Sequence, residues 1–283
     1  MKVVGARLRG TDGEDVRFVK TGNMGGKLQG GQPRYLVIHY TAGANASGAI
    51  KTFQNGEPGK RTSAHLVVDH DGSIAQMVPF DTVAWHAGAS RWKGDDGLNA
   101  CSIGIEIANW GKLEQHADGS WMSWTGKARV PKERVVLAEH KNALGTVHGW
   151  EMFDEEQYEA TIAAARAIVA AYKMEPWDLV GHDDISPVRK IDPGPAFNMD
   201  RFRARVFGRE VDTWNDTLFR VSSPSGLNMR IGPGIGEKTI KNLPDGTMVH
   251  LIQKTGVWWM VAEVVGGNDD TTGYVHSHWL MPV

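Results

Sequence analysis

A single cysteine, Cys101, stands in 283 residues, so the chain can form no intrachain disulfide and no cysteine-rich zinc knuckle. An excess of charge is missing as well. Lys and Arg total 31 against 33 Asp and Glu, a formal charge of −2, which excludes a general attraction for nucleic acid or for an anionic membrane surface. No run approaches the roughly 18–20 apolar residues of a membrane span. The longest near-apolar stretch, Thr161–Tyr172, is Ala-rich and interrupted by Arg166. Met1–Gly10 (MKVVGARLRG) has no apolar core of signal-peptide length. The expectation is a product made in the cytoplasm that needs another route if it works outside. What the chain does hold is 11 His and 11 Trp. With one cysteine available, any bound metal must be held mainly by imidazole and carboxylate. Hydrophobic residues make up 41%, enough for a core, and the length suits two domains or one large one.

The texture changes near residue 210. Before it, strand-like and helix-like runs alternate, which points to an α/β fold. Tyr35–His39 (YLVIH) reads as a buried strand. Ser47–Gln54 reads as a helix with Ser47 as its cap, burying Ile50 and Phe53. Ala64–Val68 and Ser73–Val78 flank Asp71-Gly72 and read as a hairpin. In Ser102–Ile107 (SIGIEI) the alternation puts Ile103, Ile105 and Ile107 on one face and Gly104 and Glu106 on the other. Glu155–Lys173 is the strongest helix, with Asp154 and Gln157 spaced as a capping box and Pro176 beyond its end. Met199–Phe207 is a shorter helix, capped by Asn198. Gly111–Lys132 shows no period and reads as a long loop carrying Trp121 and Trp124. After residue 218, short β-type runs separated by Gly/Pro turns indicate a small all-β barrel or sandwich.

Polar groups end several of these elements. His39 closes the first strand, His182 follows the run before Gly181, and Asp192 lies ten residues on between Lys190 and Pro193. Pro193 and Pro195 stiffen the backbone around Asp192. Two imidazoles and one carboxylate, with a fourth position left to water, suit a catalytic zinc ion. Glu106 at mid-strand fits a proton shuttle, and Lys190 fits a stabiliser of developing negative charge. Spacing alone leaves a structural role open for each histidine, and no HExxH motif is present.

The segments YLVIHYTAG (35–43), SAHLVVDHDGSIAQMVP (63–79), AWHAGAS (84–90), NACSIGIEI (99–107) and GHDDISPVRKIDPGPAF (181–197) follow one another in that order. Together they resemble the zinc-dependent N-acetylmuramoyl-L-alanine amidases of type 2, a family similar in fold to the peptidoglycan recognition proteins. The resemblance implies a mixed central sheet flanked by helices. It implies Zn2+ held by His39, His182 and Asp192, with Glu106 as general base and acid and Lys190 as stabiliser of the carbonyl. Asp at 192 matches the recycling-amidase branch rather than the phage-lysozyme branch, whose third ligand is Cys. Ala64 stands before His65 where that second branch carries Tyr. His65, Trp85 and His86 fall inside the matching motifs and are candidate substrate-binding residues, with a packing role as the competing reading for His65.

Leu227-Asn-Met-Arg230 with Gly232-Pro233, the run Gly256–Val261 (GVWWMV) and Gly273-Tyr-Val-His276 resemble a bacterial SH3 (SH3b) domain. The expected organisation is a zinc amidase domain over 1–210 and a wall-binding barrel over 218–283, with one of Trp258 and Trp259 exposed for binding. The function this implies is hydrolysis of the amide between N-acetylmuramic acid and L-alanine in polymeric peptidoglycan, by an endolysin or an exported effector. A non-catalytic peptidoglycan recognition module and a cytosolic anhydromuropeptide-recycling amidase are the alternatives.

Overall fold

Alternation and burial decide the central sheet. The structure, a computed structural model, describes residues 1–56, 61–208, 218–255, 257–265 and 268–282. In chain order the strands that build the first domain are β1 (Tyr35–Tyr40), β2 (Leu66–Val68), β3 (Ile74–Gln76), β4 (Ser102–Ile107), β5 (Lys112–Gln115), β6 (Trp121–Ser123), β7 (Arg129–Val130), β8 (Val135–His140), β9 (Ala143–Glu151) and β10 (Leu179–Gly181). Its helices are α1 (Ala46–Gln54), α2 (Glu155–Tyr172), the short α3 (His182–Ile185) and α4 (Met199–Val206). Five of the strands form a sheet in the order β10-β1-β4-β2-β3. The pairs β10–β1, β1–β4 and β4–β2 are parallel, and β3 closes the antiparallel hairpin expected around Gly72. In a parallel sheet covered on both faces strands read as apolar runs, and Leu36, Val37 and Ile38 are wholly buried.

Ile103, Ile105 and Ile107 point to one side as expected and pack with Ile162, Ala165 and Ile168 of α2. On the other face α1 sets Ile50 and Phe53 against Val67, Ala75 and Met77. The cap of α1 is Asn45 rather than Ser47: its Oδ1 accepts the Gly48 N–H at 2.9 Å. For α2, the Asp154 N–H donates to Gln157 Oε1 at 3.0 Å, and Asn198 caps α4 by accepting the Arg201 N–H. No helix among the described residues is long and apolar enough to cross a membrane.

The region from Gly111 onward is not a loop. It is the start of a second sheet, ordered β7-β6-β5-β9-β8, that grows out of the end of β4 and returns through Glu151. Leu113, Val130 and Val135 form its small core, with Trp110 and Trp121 packed against them. The indole of Trp121 lies against Gly149, where an added Cβ would sit 2.4 Å from Trp121 Cζ3. That glycine gives the ring room on the facing strand.

The barrel strands are β11 (Leu218–Val221), β12 (Leu227–Arg230), β13 (Thr239–Leu243), β14 (Met248–Thr255), β15 (Trp258–Val265), β16 (Asn268–His276) and β17 (Leu280–Pro282). They join in one sheet, β13-β12-β16-β15-β14-β11-β17, around Val221, Met229, Leu243, Val249, Val261 and Val275. Of the two tryptophans, one is in the core as expected, and the other is packed rather than exposed. Trp258 is buried edge-on against His276, and the half-buried Trp259 lies edge-on against Phe219. The barrel seats on the first domain. Asn198 Nδ2 donates to His278 O at 3.3 Å, His278 Nε2 donates to Pro195 O at 3.3 Å, and Val257 and Trp279 pack against the main core. The junction itself, residues 209–217, lies outside the described residues.

Candidate metal centre

Register brings the chemistry together. In the parallel pair β1–β4, Glu106 is level with His39, so the two side chains leave the same face of the sheet side by side. In β10–β1, Gly181 is level with Ile38, which puts His182 at the same carboxyl edge as His39. Carboxyl ends of parallel strands are where open α/β sheets bind ligands. Asp192 is folded back onto this edge by its own backbone: its carbonyl accepts the Asp183 N–H at 2.8 Å. Gly181 is needed at this fold-back, because a Cβ there would lie 2.7 Å from Pro193 Cδ.

Three buried atoms converge. His39 Nδ1 lies 3.0 Å from His182 Nδ1 and 2.8 Å from Asp192 Oδ2, and His182 Nδ1 lies 2.9 Å from the same oxygen. Among the described residues this is the one group of three or more His, Cys, Asp or Glu placed to hold a metal ion. The tautomers are set from outside the triangle. His182 Nε2–H donates to the Ala87 carbonyl at 3.0 Å, so its Nδ1 carries a lone pair toward the centre. His39 Nε2 lies 3.0 Å from His86 Nδ1, and His86 Nε2 lies 3.2 Å from Ser102 Oγ, which itself donates to Leu98 O. That chain runs in one direction: His39 Nε2–H donates to His86, His86 Nε2–H donates to Ser102, and His39 Nδ1 is left as a free donor atom.

The electrostatics agree. Burial and the neighbouring His182 bring His39 down to about 4, so it is a neutral ligand at ordinary pH. Burial, with His39 and His65 nearby, pushes His86 well below its usual value, as a neutral relay requires. Burial alone would lift Asp192, but His182 and His39, both set against its Oδ2, hold its carboxyl well below the usual range, so it remains an anion. Two imidazole nitrogens, each ring oriented by an outer partner, and a carboxylate oxygen suit a zinc or similar divalent ion.

Glu106 faces this cluster with Oε2 buried and without a hydrogen-bond partner. Burial first, and the Asp192 charge second, push its carboxyl well above the ordinary value, while Lys190 opposes them. Lys190 lies near enough for its charge to act on both Glu106 and His39.

The three residues expected to bind substrate are placed differently from one another. His65 is wholly buried; Nε2–H donates to Thr82 O at 2.9 Å and Nδ1 accepts the Gly104 N–H at 3.0 Å. It ties the sheet together and offers nothing to a substrate. His86 does not line an open groove but stands behind His39. Trp85, the preceding residue, is partly exposed, with its ring edge lying over Gly25.

Sequence reasoning missed several supporting residues. Asn99 Oδ1 accepts the N–H groups of His86 at 2.9 Å and Ala87 at 2.7 Å, holding the turn that orients both metal-facing imidazoles. Its place inside NACSIGIEI was the available signal. His140 of β8 stacks on Trp150, with Nε2 3.1 Å from Asp183 Oδ2, and Lys141 reaches Asp184 at 2.6 Å. These bonds clamp the second sheet to α3, and no motif marked them. His70, in the turn of the β2–β3 hairpin, is tied down on both sides: Nδ1 is 2.6 Å from Asp154 Oδ2 and Nε2 is 2.9 Å from Ala44 O.

Two histidines at the carboxyl edge of the parallel strands, with an aspartate folded back beside them, form a cluster that could hold one metal ion. The chain belongs to the N-acetylmuramoyl-L-alanine amidase family, which matches residues 29–195, and a bacterial SH3 domain matches residues 225–281. It is 34% identical over 146 residues to the 1,6-anhydro-N-acetylmuramyl-L-alanine amidase AmpD of Salmonella typhimurium, covering 52% of this chain and 58% of that protein. It is 34% identical over 195 residues to the N-acetylmuramoyl-L-alanine amidase AmiD of Escherichia coli, covering 66% of this chain and 58% of that one. The chain thus spans somewhat over half the length of these curated relatives. A crystal structure of a selenomethionine AmpD derivative superposes with a TM-score of 0.50 at 25% identity, over 73% of this chain and 99% of that one.

Proposed function

We propose that the protein is a zinc-dependent peptidoglycan hydrolase that cleaves the amide between the lactyl group of N-acetylmuramic acid and L-alanine of the stem peptide. The observation that carries this reading is the complete His39–His182–Asp192 triangle beside the unpartnered Glu106 Oε2. A zinc ion held by these three residues would supply Lewis acidity, activating water for attack and polarising the amide carbonyl. Glu106 takes the proton from the attacking water and hands it to the leaving amine of L-alanine. Its raised proton affinity suits both halves of that transfer. Lys190 holds the negative charge that grows on the carbonyl oxygen. His86 and Ala87 keep the two imidazoles turned to the metal while charge moves.

The barrel supports action on polymeric wall rather than on soluble muropeptides, since a recycling role leaves this second domain unexplained. Release of the chain by lysis or by dedicated export would bring it to that substrate. A non-catalytic recognition module would be expected to lack one of these residue types, and His39, His182, Asp192 and Glu106 are all present in this chain. The deciding experiment is mass spectrometry of digested sacculi, with and without chelator. The expected result is chelator-sensitive appearance of free L-alanine amino ends with no new sugar reducing ends. Cleavage between amino acids, or none at all, would reject the reading.

A further inference from the structure

The second sheet carries one aromatic ring that packing does not use. Trp124 follows β6 and remains 61% exposed. The neighbouring tryptophans are spent: Trp121 lies on Gly149, Trp110 packs with the small core of this sheet, and Trp150 is buried. Trp124 has no aromatic or cationic partner over its ring among the described residues, yet the ring is not loose. Its Nε1–H donates to the carbonyl of Ala42 at 2.9 Å.

Ala42 places this ring with respect to the metal centre. It lies three residues past His39, within about 10 Å along the extended chain. It holds a positive φ of 53°, unusual for a residue with a side chain and a sign that the loop is held in one shape. The loop is tied on its other side to the end of β4: Thr41 N–H donates to Ile107 O at 3.0 Å and Gly43 N–H to Asn109 O at 3.2 Å. The indole is therefore anchored to the rim shared by the strands that carry His39 and Glu106.

We propose that Trp124 is a stacking platform for a pyranose ring of the glycan strand. The inference rests on the amidase reading, because the scissile amide hangs from the sugar by only a short lactyl ether bridge and a sugar ring must then lie at this rim. The indole nitrogen is already bonded, so a ligand meets only the π faces, and the C–H face of a pyranose is the complement to such a surface. A stem peptide rich in carboxylates calls for cations instead. Arg189 lies on a different surface, a pocket of about 490 Å³ between residues 89–97 and 185–189, where Arg91 is paired with Asp96.

The test uses the full-length zinc-loaded chain and the variants Trp124→Ala and Trp124→Phe. Binding of an N-acetylglucosamine tetrasaccharide is followed by intrinsic fluorescence and calorimetry. Binding of a free stem tripeptide is measured alongside, with zinc content and circular dichroism as fold controls. The expected result is tetrasaccharide binding weakened about tenfold or more in Trp124→Ala, largely kept in Trp124→Phe, and unchanged tripeptide binding. On glycan-bearing substrate Trp124→Ala should raise KM and leave kcat within about twofold. Unchanged tetrasaccharide affinity, or loss of tripeptide binding instead, overturns the proposal. If wild type cleaves no muramyl peptide, the amidase reading fails, and the saccharide titration reports that separately.

Discussion

His39 Nε2 and His86 Nδ1 face each other at 3.0 Å, both rings buried, so the imidazole turned toward the candidate metal centre is oriented by a second imidazole rather than by a carboxylate. A neutral partner steadies the ring without adding negative charge to a centre that already holds Asp192. The next residue along, Ala87, serves His182 through its carbonyl. One short stretch of chain therefore sets the tautomers of both ligands.

Replacing His86 by Ala should lower zinc affinity by about 10–100-fold, because His39 loses the acceptor that fixes its orientation. His86→Asn, which keeps an acceptor oxygen, should recover part of the loss. Competition with a chromogenic chelator measures both, and equal affinity in all three proteins would show that the contact is incidental.

Gly104→Ala attacks the same contact without removing a polar group. The added Cβ would lie 2.5 Å from His86 Cγ and 2.6 Å from Nδ1, too close to stay. Weakened zinc binding is expected, together with a stability loss of about 1–3 kcal/mol from overpacking. Chemical denaturation and zinc titration read the two effects. Wild-type zinc affinity in this variant would count against the relay.

Ligand and shuttle should separate by assay. Asp192→Ala removes a ligand atom, so zinc and activity should be lost together. Glu106→Gln should keep zinc and lower kcat by about 10²–10⁴-fold. Lys190→Ala should likewise keep zinc and cost about 10²–10³-fold. Metal analysis beside turnover on a muropeptide distinguishes these outcomes, and near-normal turnover in Glu106→Gln would remove it from the proton path.

His70 makes stability depend on pH. Both of its ring nitrogens face acceptors, and the Asp154 carboxylate raises its pKa above the ordinary value. A raised folded pKa gives stabilisation that is complete below the unfolded value of about 6.5 and fades as pH rises through the folded one. Thermal melts of His70→Gln should therefore fall below wild type by about 2–4 °C at pH 5.5, corresponding to about 1 kcal/mol for a partly exposed pair. The gap should narrow by pH 9. A gap that widens with pH would contradict the assignment.

The central sheet was legible because its strands announce themselves: SIGIEI alternates over six residues, and YLVIH is apolar throughout. His39, Glu106, His182 and Asp192 sit at the ends or polar faces of such runs, and the structure brings them together. The roles of His65 and His86 were not legible. Both lie in equally well-marked segments, and only the direction of each ring nitrogen in space separates a sheet brace from a relay. The second sheet escaped detection for a different reason. β5, β6 and β7 have two to four residues each, too short to show a period, and β5 pairs with β9 from nearly forty residues away, Lys112 with Trp150.

That second sheet reaches several places at once. Trp124 holds the loop after His39, His140 and Lys141 hold the turn that carries His182, and Arg134 bonds the Asp154 cap of α2. Val136 and Ala138 of its outer strand join the core cluster on which Val257 and Trp279 of the barrel rest. The two matched domains are consequently not interchangeable cassettes. A chimera that grafts a different barrel after residue 217 would leave this strand facing a foreign surface, and the misfit would be felt at the loops that carry His39 and His182. Exchanges meant to redirect the enzyme should carry β8 and the barrel across as one piece.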